Sequence, residues 1–185
     1  EMCWSKLPPE GTTKLLRFAE RGGRVVCLRQ SYGKTDLAWL PVKVIPTVLS
    51  ANDSSYPPPV YTYRDGMNIN PERTDHPIFK GIPRQRLMLW SDYTDFDESK
   101  PGFPAVYPVT HGFLLKEADL TQVEVIANYG RNLAGTALCE IETGKGSVIL
   151  CGFDLTSRRG IDPVAEKLLS NLIGYATVSY THLRA

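Results

Sequence analysis

The sequence predicts an α/β domain, and three observations carry that prediction. Near the start, a stretch with helical apolar spacing ends at Gly22-Gly23 and runs directly into the apolar segment Arg24–Leu28. Residues 136–155 read as a strand, a tight turn and a second strand. Asp162-Pro163 then opens another helix. The 185 residues are enough for one domain with a sizeable core. No internal repeat or clear second domain interrupts them.

Each element has its own local cause. Pro8-Pro9-Glu10 precedes a helix to about Arg21, with Leu15, Phe18 and Ala19 on one face and Leu16 beside them. Gly22-Gly23 supplies a residue for the left-handed C-cap. Asp36–Leu40 reads as a short helical turn that Leu37, Trp39 and Leu40 seat on the core. Val42–Leu49 reads as a strand that Pro46 confines to a sheet edge. Val60–Arg64 alternates as a strand, with Tyr61 and Tyr63 on one side. His76-Pro77 starts a helical turn that Gly81 closes, so a capping or surface role suits His76 better than catalysis. Leu87–Trp90 is an apolar run, and residues 100–112 form an irregular crossing.

Gln122–Tyr129 alternates around Val123, Val125 and Ala127 and predicts a strand. In the hairpin that follows, Gly144-Lys145-Gly146 tolerates the turn. Val148–Cys151 is apolar throughout, as a strand buried on both faces should be. Glu140 and Glu142 point the same way along the first strand, and an exposed hairpin face accounts for both. Val164, Leu168, Leu169, Leu172 and Ile173 form the apolar face of the last helix.

Composition narrows the function classes. A formal charge of +1, with Lys and Arg scattered, argues against nucleic acid as a partner. No apolar stretch approaches a membrane span, and no secretory signal is visible at the start. Cys3, Cys27, Cys139 and Cys151 fit no zinc pattern and read as buried free thiols. A Cys139–Cys151 bridge across the hairpin is conceivable but unindicated. Gly33-Lys34-Thr35 lacks the first glycine of a P-loop, because Leu28 stands there, and Pro41 cuts its helix short. Asp92, Asp95, Asp97 and Glu98 lack the spacing of a calcium loop and read as solvated. No metal or cofactor is expected.

The chain resembles the class I glutamine-amidotransferase-like domains through Leu15–Val26. It is similar to a subset of them through Asp75–Ile82, Gly144–Val148 and Pro163–Tyr175. That subset forms accessory domains in bacterial glycoside hydrolases such as the β-galactosidase-like members of family 2. The resemblance spans roughly Leu7 to Tyr175. It implies a three-layer, flavodoxin-like and mostly parallel sheet with an antiparallel hairpin at one side, incomplete at its N-terminus. Active members of the class place a Cys on a strained strand-to-helix turn, with a His as base. Here Val25 and Arg29 stand where that pattern has glycines around Cys27. After His111 the only His is His182. Cys27 therefore reads as a core residue.

Residues 178–185, Val-Ser-Tyr-Thr-His-Leu-Arg-Ala, resemble a translated sequencing-library adapter. The expected division is one domain over 1–176 and a tail over 177–185 without natural origin, which removes His182 from functional arguments.

The expected function is that of a non-catalytic accessory domain of a carbohydrate-active enzyme. The catalytic and sandwich domains of its own parent chain would be partners, homo-oligomerisation is open, and a periplasmic or extracellular setting follows from the resemblance alone. The first alternative is a sugar-binding module that stacks glycans on Trp39, Tyr61, Tyr63, Trp90 and Tyr93. The second is an active hydrolase or transferase with an unrecognised site.

Overall fold

The computed structural model describes residues 7–29, 37–47, 69–90, 109–110, 112–115, 121–130 and 135–178. In chain order they form α1 (Pro9–Glu20), β1 (Arg24–Cys27), β2 (Val44–Thr47), β3 (Ile69–Pro71), a 3-10 turn (Pro77–Phe79) and α2 (Arg84–Met88). These are followed by β4 (Gly112–Leu115), β5 (Val123–Tyr129), β6 (Gly135–Thr143), β7 (Gly146–Cys151) and α3 (Pro163–Thr177). The strands make one mixed seven-stranded sheet. The path β1-β7-β6-β4-β2 crosses it, and β5 flanks β6 and carries β3.

Helices on a mixed sheet fulfil the α/β expectation, but the sheet is not mostly parallel. Among the described residues only β1 and β7 run parallel, with Val25 opposite Val148 and Cys27 opposite Leu150. The other five pairings are antiparallel. For two of those pairings the physical reason is a short connection: Gly144 at φ 62° closes β6 onto β7 directly, and a short link returns β5 to β6. A parallel neighbour would require a crossover of a dozen or more residues.

Alternation along the strands splits the apolar interior between the two faces. On one face, Val25, Cys27, Cys139, Ile141, Val148 and Leu150 meet Ala19 of α1, with Leu15 packed alongside. On the other, Leu138, Ile149 and Cys151 meet Ala165, Leu168 and Leu172 of α3, with Val26 packed alongside. The result is three layers, with α1 and α3 on opposite sides of the β1–β7–β6 strip. β2 lies at the end of the strand path, as Pro46 led one to expect. The segment after β1 seats Leu37 and Leu40 in the core on the α1 side. The strand expected at 60–64 lies outside the described residues.

The hairpin turn is docked on the end of α1. Gly23 N–H donates to Phe18 O and Gly22 N–H to Ala19 O, at 3.0 and 2.9 Å, with Gly22 at φ 108°. That is the paired bonding of a glycine-closed helix end. Two carbonyls beyond this cap accept from the hairpin: Glu20 O from Lys145 N–H at 3.0 Å, and Gly23 O from Ser147 N–H at 3.1 Å. Gly146 makes the approach possible, because a Cβ there would lie 2.1 Å from Gly23 O and 2.5 Å from Ala19 O.

Candidate functional site

Two polar clusters lie against the α3 side of the sheet. The first is buried beneath the last turn of α3. Arg24 leads β1, Ser147 lies near the start of β7 and Glu140 lies within β6, and the pleat turns all three toward α3. Glu140 is 4% exposed. One of its oxygens accepts from the Ser147 hydroxyl and faces Arg24 Nε at 3.4 Å; the other accepts from the Tyr175 hydroxyl at 2.6 Å. Arg24 Nη1 donates to Tyr175 O and Val178 O, both at 2.7 Å. A cation at a helix C-terminus satisfies carbonyls left without helical partners and suits the helix dipole. The guanidinium also lies over the Tyr175 ring, 4.3 Å from its centroid.

His76 completes this cluster. Its ring meets Tyr175 edge-on, with centroids 4.7 Å apart. Its Nδ1 accepts the Ile78 N–H at 3.3 Å and so caps the 3-10 turn. The capping role expected for His76 is therefore present, but the residue is buried. Burial pushes its pKa down to about 4, with Glu140 opposing the shift. Burial also raises the Tyr175 hydroxyl, reinforced by its bond to Glu140.

Glu140 corrects the sequence reading, which placed it with Glu142 on an exposed face. Glu142 is exposed, but Glu140 lies under α3 with an arginine and two hydroxyls as partners. A signal was available. Arg24, Ser147 and Tyr175 are polar residues in otherwise apolar segments, and a buried polar group needs a partner.

The second cluster lies at the carboxyl ends of β1 and β7. Arg29 Nη1 sits 2.7 Å from Asp154 Oδ2, with both side chains under one-fifth exposed. Arg158 bridges Asp154 and Asp162 at 3.6 and 3.9 Å, and Ser157 donates to Asp154. Asp162 caps α3 by accepting from Val164 N–H at 2.8 Å and Ala165 N–H at 3.3 Å. Its other oxygen accepts the Trp90 indole N–H at 2.6 Å. Open α/β sheets bind ligands at this end. Here, however, two cations and two carboxylates neutralise one another within the cluster.

The aromatic candidates fare differently from one another. Trp90 is not a stacking platform: it is 4% exposed, its ring meets Phe153 edge-on and its polar tip is bonded to Asp162. Trp39 is half-buried and packs against the α1-side core. Tyr61, Tyr63 and Tyr93 lie outside the described residues, as do the acidic group at 92–98 and Gly33-Lys34-Thr35.

The described cysteines are interior packing groups. Cys27, Cys139 and Cys151 are all buried and unbridged. Leu138 faces Cys151, and Cys139 faces Leu150, so the two hairpin cysteines belong to opposite sheet faces and cannot join. Burial raises the Cys27 thiol far above its ordinary range, and pushes Cys139 and Cys151 up to about 12. Among the described residues, no group of three or more His, Cys, Asp or Glu side chains could hold a metal ion. Nor is any described helix long and apolar enough to cross a membrane.

Fold and clusters together define a layered α/β domain with a mixed sheet and, among the described residues, two internally paired polar clusters. The chain belongs to the family described as a domain of unknown function (DUF8487), whose model matches residues 65–182. That match takes in β3 through α3 and leaves α1, β1 and β2 outside it. No curated protein matches the chain.

Proposed function

We propose that the chain is a non-catalytic accessory domain of a carbohydrate-active enzyme. The parent would be a glycoside hydrolase acting on β-galactosides or related glycans outside the cytoplasm. The domain's work is to pack against the catalytic portion, shape the rim of its cleft or mediate oligomerisation. The observation that carries the reading is the environment of Cys27. By the resemblance it would lie near the nucleophile position of that class, yet it is 4% exposed and packed in the α1-side core. A thiol raised by burial is almost wholly protonated near neutral pH and is a poor nucleophile. The finer fold assignment, a doubly wound flavodoxin-like sheet, draws support from the parallel β1–β7 pair with α1 and α3 on opposite faces.

Two measurements test the proposal. The purified chain is expected to hydrolyse neither glutamine nor aryl galactosides above background; turnover abolished by Cys27→Ala would refute the non-catalytic reading. Sequencing the genomic locus is expected to show a sugar-hydrolase barrel in the same reading frame. A gene encoding this domain with no carbohydrate-active neighbour would refute the accessory role.

A further inference from the structure

We propose that His76 is an acid switch, which on protonation undocks the 76–80 turn and the last turn of α3 from the sheet while the rest of the domain stays folded. The geometry is specific about the cause. Nδ1 of His76 accepts the Ile78 N–H, so in the neutral ring the proton resides on Nε2. A second proton can only go onto Nδ1, where a donor would then face a donor. The cap of the 3-10 turn is lost at that moment.

That turn is bound to α3. Asn171 Nδ2 donates to Ile78 O and to Lys80 O, each at 2.9 Å. The new charge also enters a site that already holds a cation, since Tyr175 has Arg24 over its face and His76 at its edge. The groups acting on His76 come from β1, β6, α3 and its own loop. Glu140 of β6 and the adjacent Asp75 favour the charged ring; Arg24 of β1 and the nearby Arg73 oppose it. Tyr175 of α3 contributes the facing ring, and its hydroxyl donates a hydrogen bond to Glu140. Arg73 is itself engaged by Asp75 and by Glu124 of β5. The balance favours the neutral ring, because burial outweighs the carboxylates.

The direction of the linkage follows. The folded-state pKa is about 4 against an ordinary 6.5, so the stabilisation is complete above 6.5 and is lost as pH falls toward 4. The full shift corresponds to at most about a 300-fold change in the local opening equilibrium.

Amide hydrogen exchange on the full chain, corrected for the intrinsic pH dependence, tests this between pH 7 and pH 4. Wild type is expected to lose protection selectively at 77–82 and 173–178, by tens to a few hundred-fold, while β6 and β7 keep theirs. His76→Asn, which retains a capping acceptor but cannot titrate, is expected to show no such loss. Equal losses in both proteins would overturn the proposal, as would simultaneous loss across β6 and β7. An NMR titration of the wild-type imidazole checks the same point without a variant: a depressed His76 pKa supports the switch, and titration near 6.5 refutes it.

Discussion

Replacing Gly146 by alanine tests the docking of the hairpin on α1 most directly. The added Cβ would lie 2.1 Å from Gly23 O, 2.5 Å from Ala19 O and 2.8 Å from Gly22 C. All three are backbone atoms, so no side chain can rotate away. Ordinary contact begins near 3.4 Å, and the helix end and the hairpin must therefore separate by more than 1 Å. That movement stretches both bonds joining them, Lys145 N–H to Glu20 O and Ser147 N–H to Gly23 O. Two hydrogen bonds at about 1 kcal/mol each, with about 1–3 kcal/mol of overpacking, give a loss of about 3–5 kcal/mol. With a urea slope of about 2 kcal/mol/M, the unfolding midpoint should fall by about 1.5–2.5 M. Gly174→Ala is the matched control. Nothing lies within 4 Å of a Cβ there, and the site is inside α3, so stability should rise by about 0.5–1 kcal/mol. A Gly146→Ala protein within about 1 kcal/mol of wild type would refute the close approach of helix and turn.

The remaining predictions concern the interior polar and thiol groups. Glu140→Ala strands a buried guanidinium and two hydroxyls and should cost about 3–5 kcal/mol, whereas Tyr175→Phe removes one bond and should cost about 1–2 kcal/mol. Urea melts that rank the two equally would contradict the central place of Glu140. Cys27, Cys139 and Cys151 should resist a thiol reagent in the native protein and react in denaturant; rapid native labelling of Cys27, read by peptide mass, would contradict its burial. Trp90→Phe should destabilise by about 1–3 kcal/mol in thermal or urea unfolding, because Asp162 loses a partly buried donor. An unchanged melt would show that the indole bond contributes nothing.

The parts legible in the sequence were those whose cause is local. Gly22-Gly23 announced the end of α1, Gly144-Lys145-Gly146 the hairpin, and Asp162-Pro163 the start of α3. His76-Pro77 announced a capped turn, and His76 Nδ1 supplies that cap. What the sequence concealed depends on partners far along the chain. Alternation put Glu140 on one face of its strand but could not say that Arg24, 116 positions earlier, and Tyr175 would cover that face. Trp90 looked like any aromatic available to a sugar until Asp162 proved to hold its indole nitrogen. Strand direction was concealed for the same reason: apolar runs fit parallel and antiparallel neighbours alike, and the connections decide.

The two bonds from Arg24 to the carbonyls of Tyr175 and Val178 also fix how the domain yields to force. Tension applied at residue 178 reaches β1 through the Arg24 guanidinium and β6 through the Tyr175–Glu140 bond before it loads the apolar seat of Leu172 and Leu168. Polar bonds of this kind fail over a fraction of an ångström, whereas an apolar interface gives way gradually. Peeling α3 from its C-terminal end should therefore begin with a sharp rupture of the Arg24 and Tyr175–Glu140 bonds, followed by a softer release of the helix from the sheet.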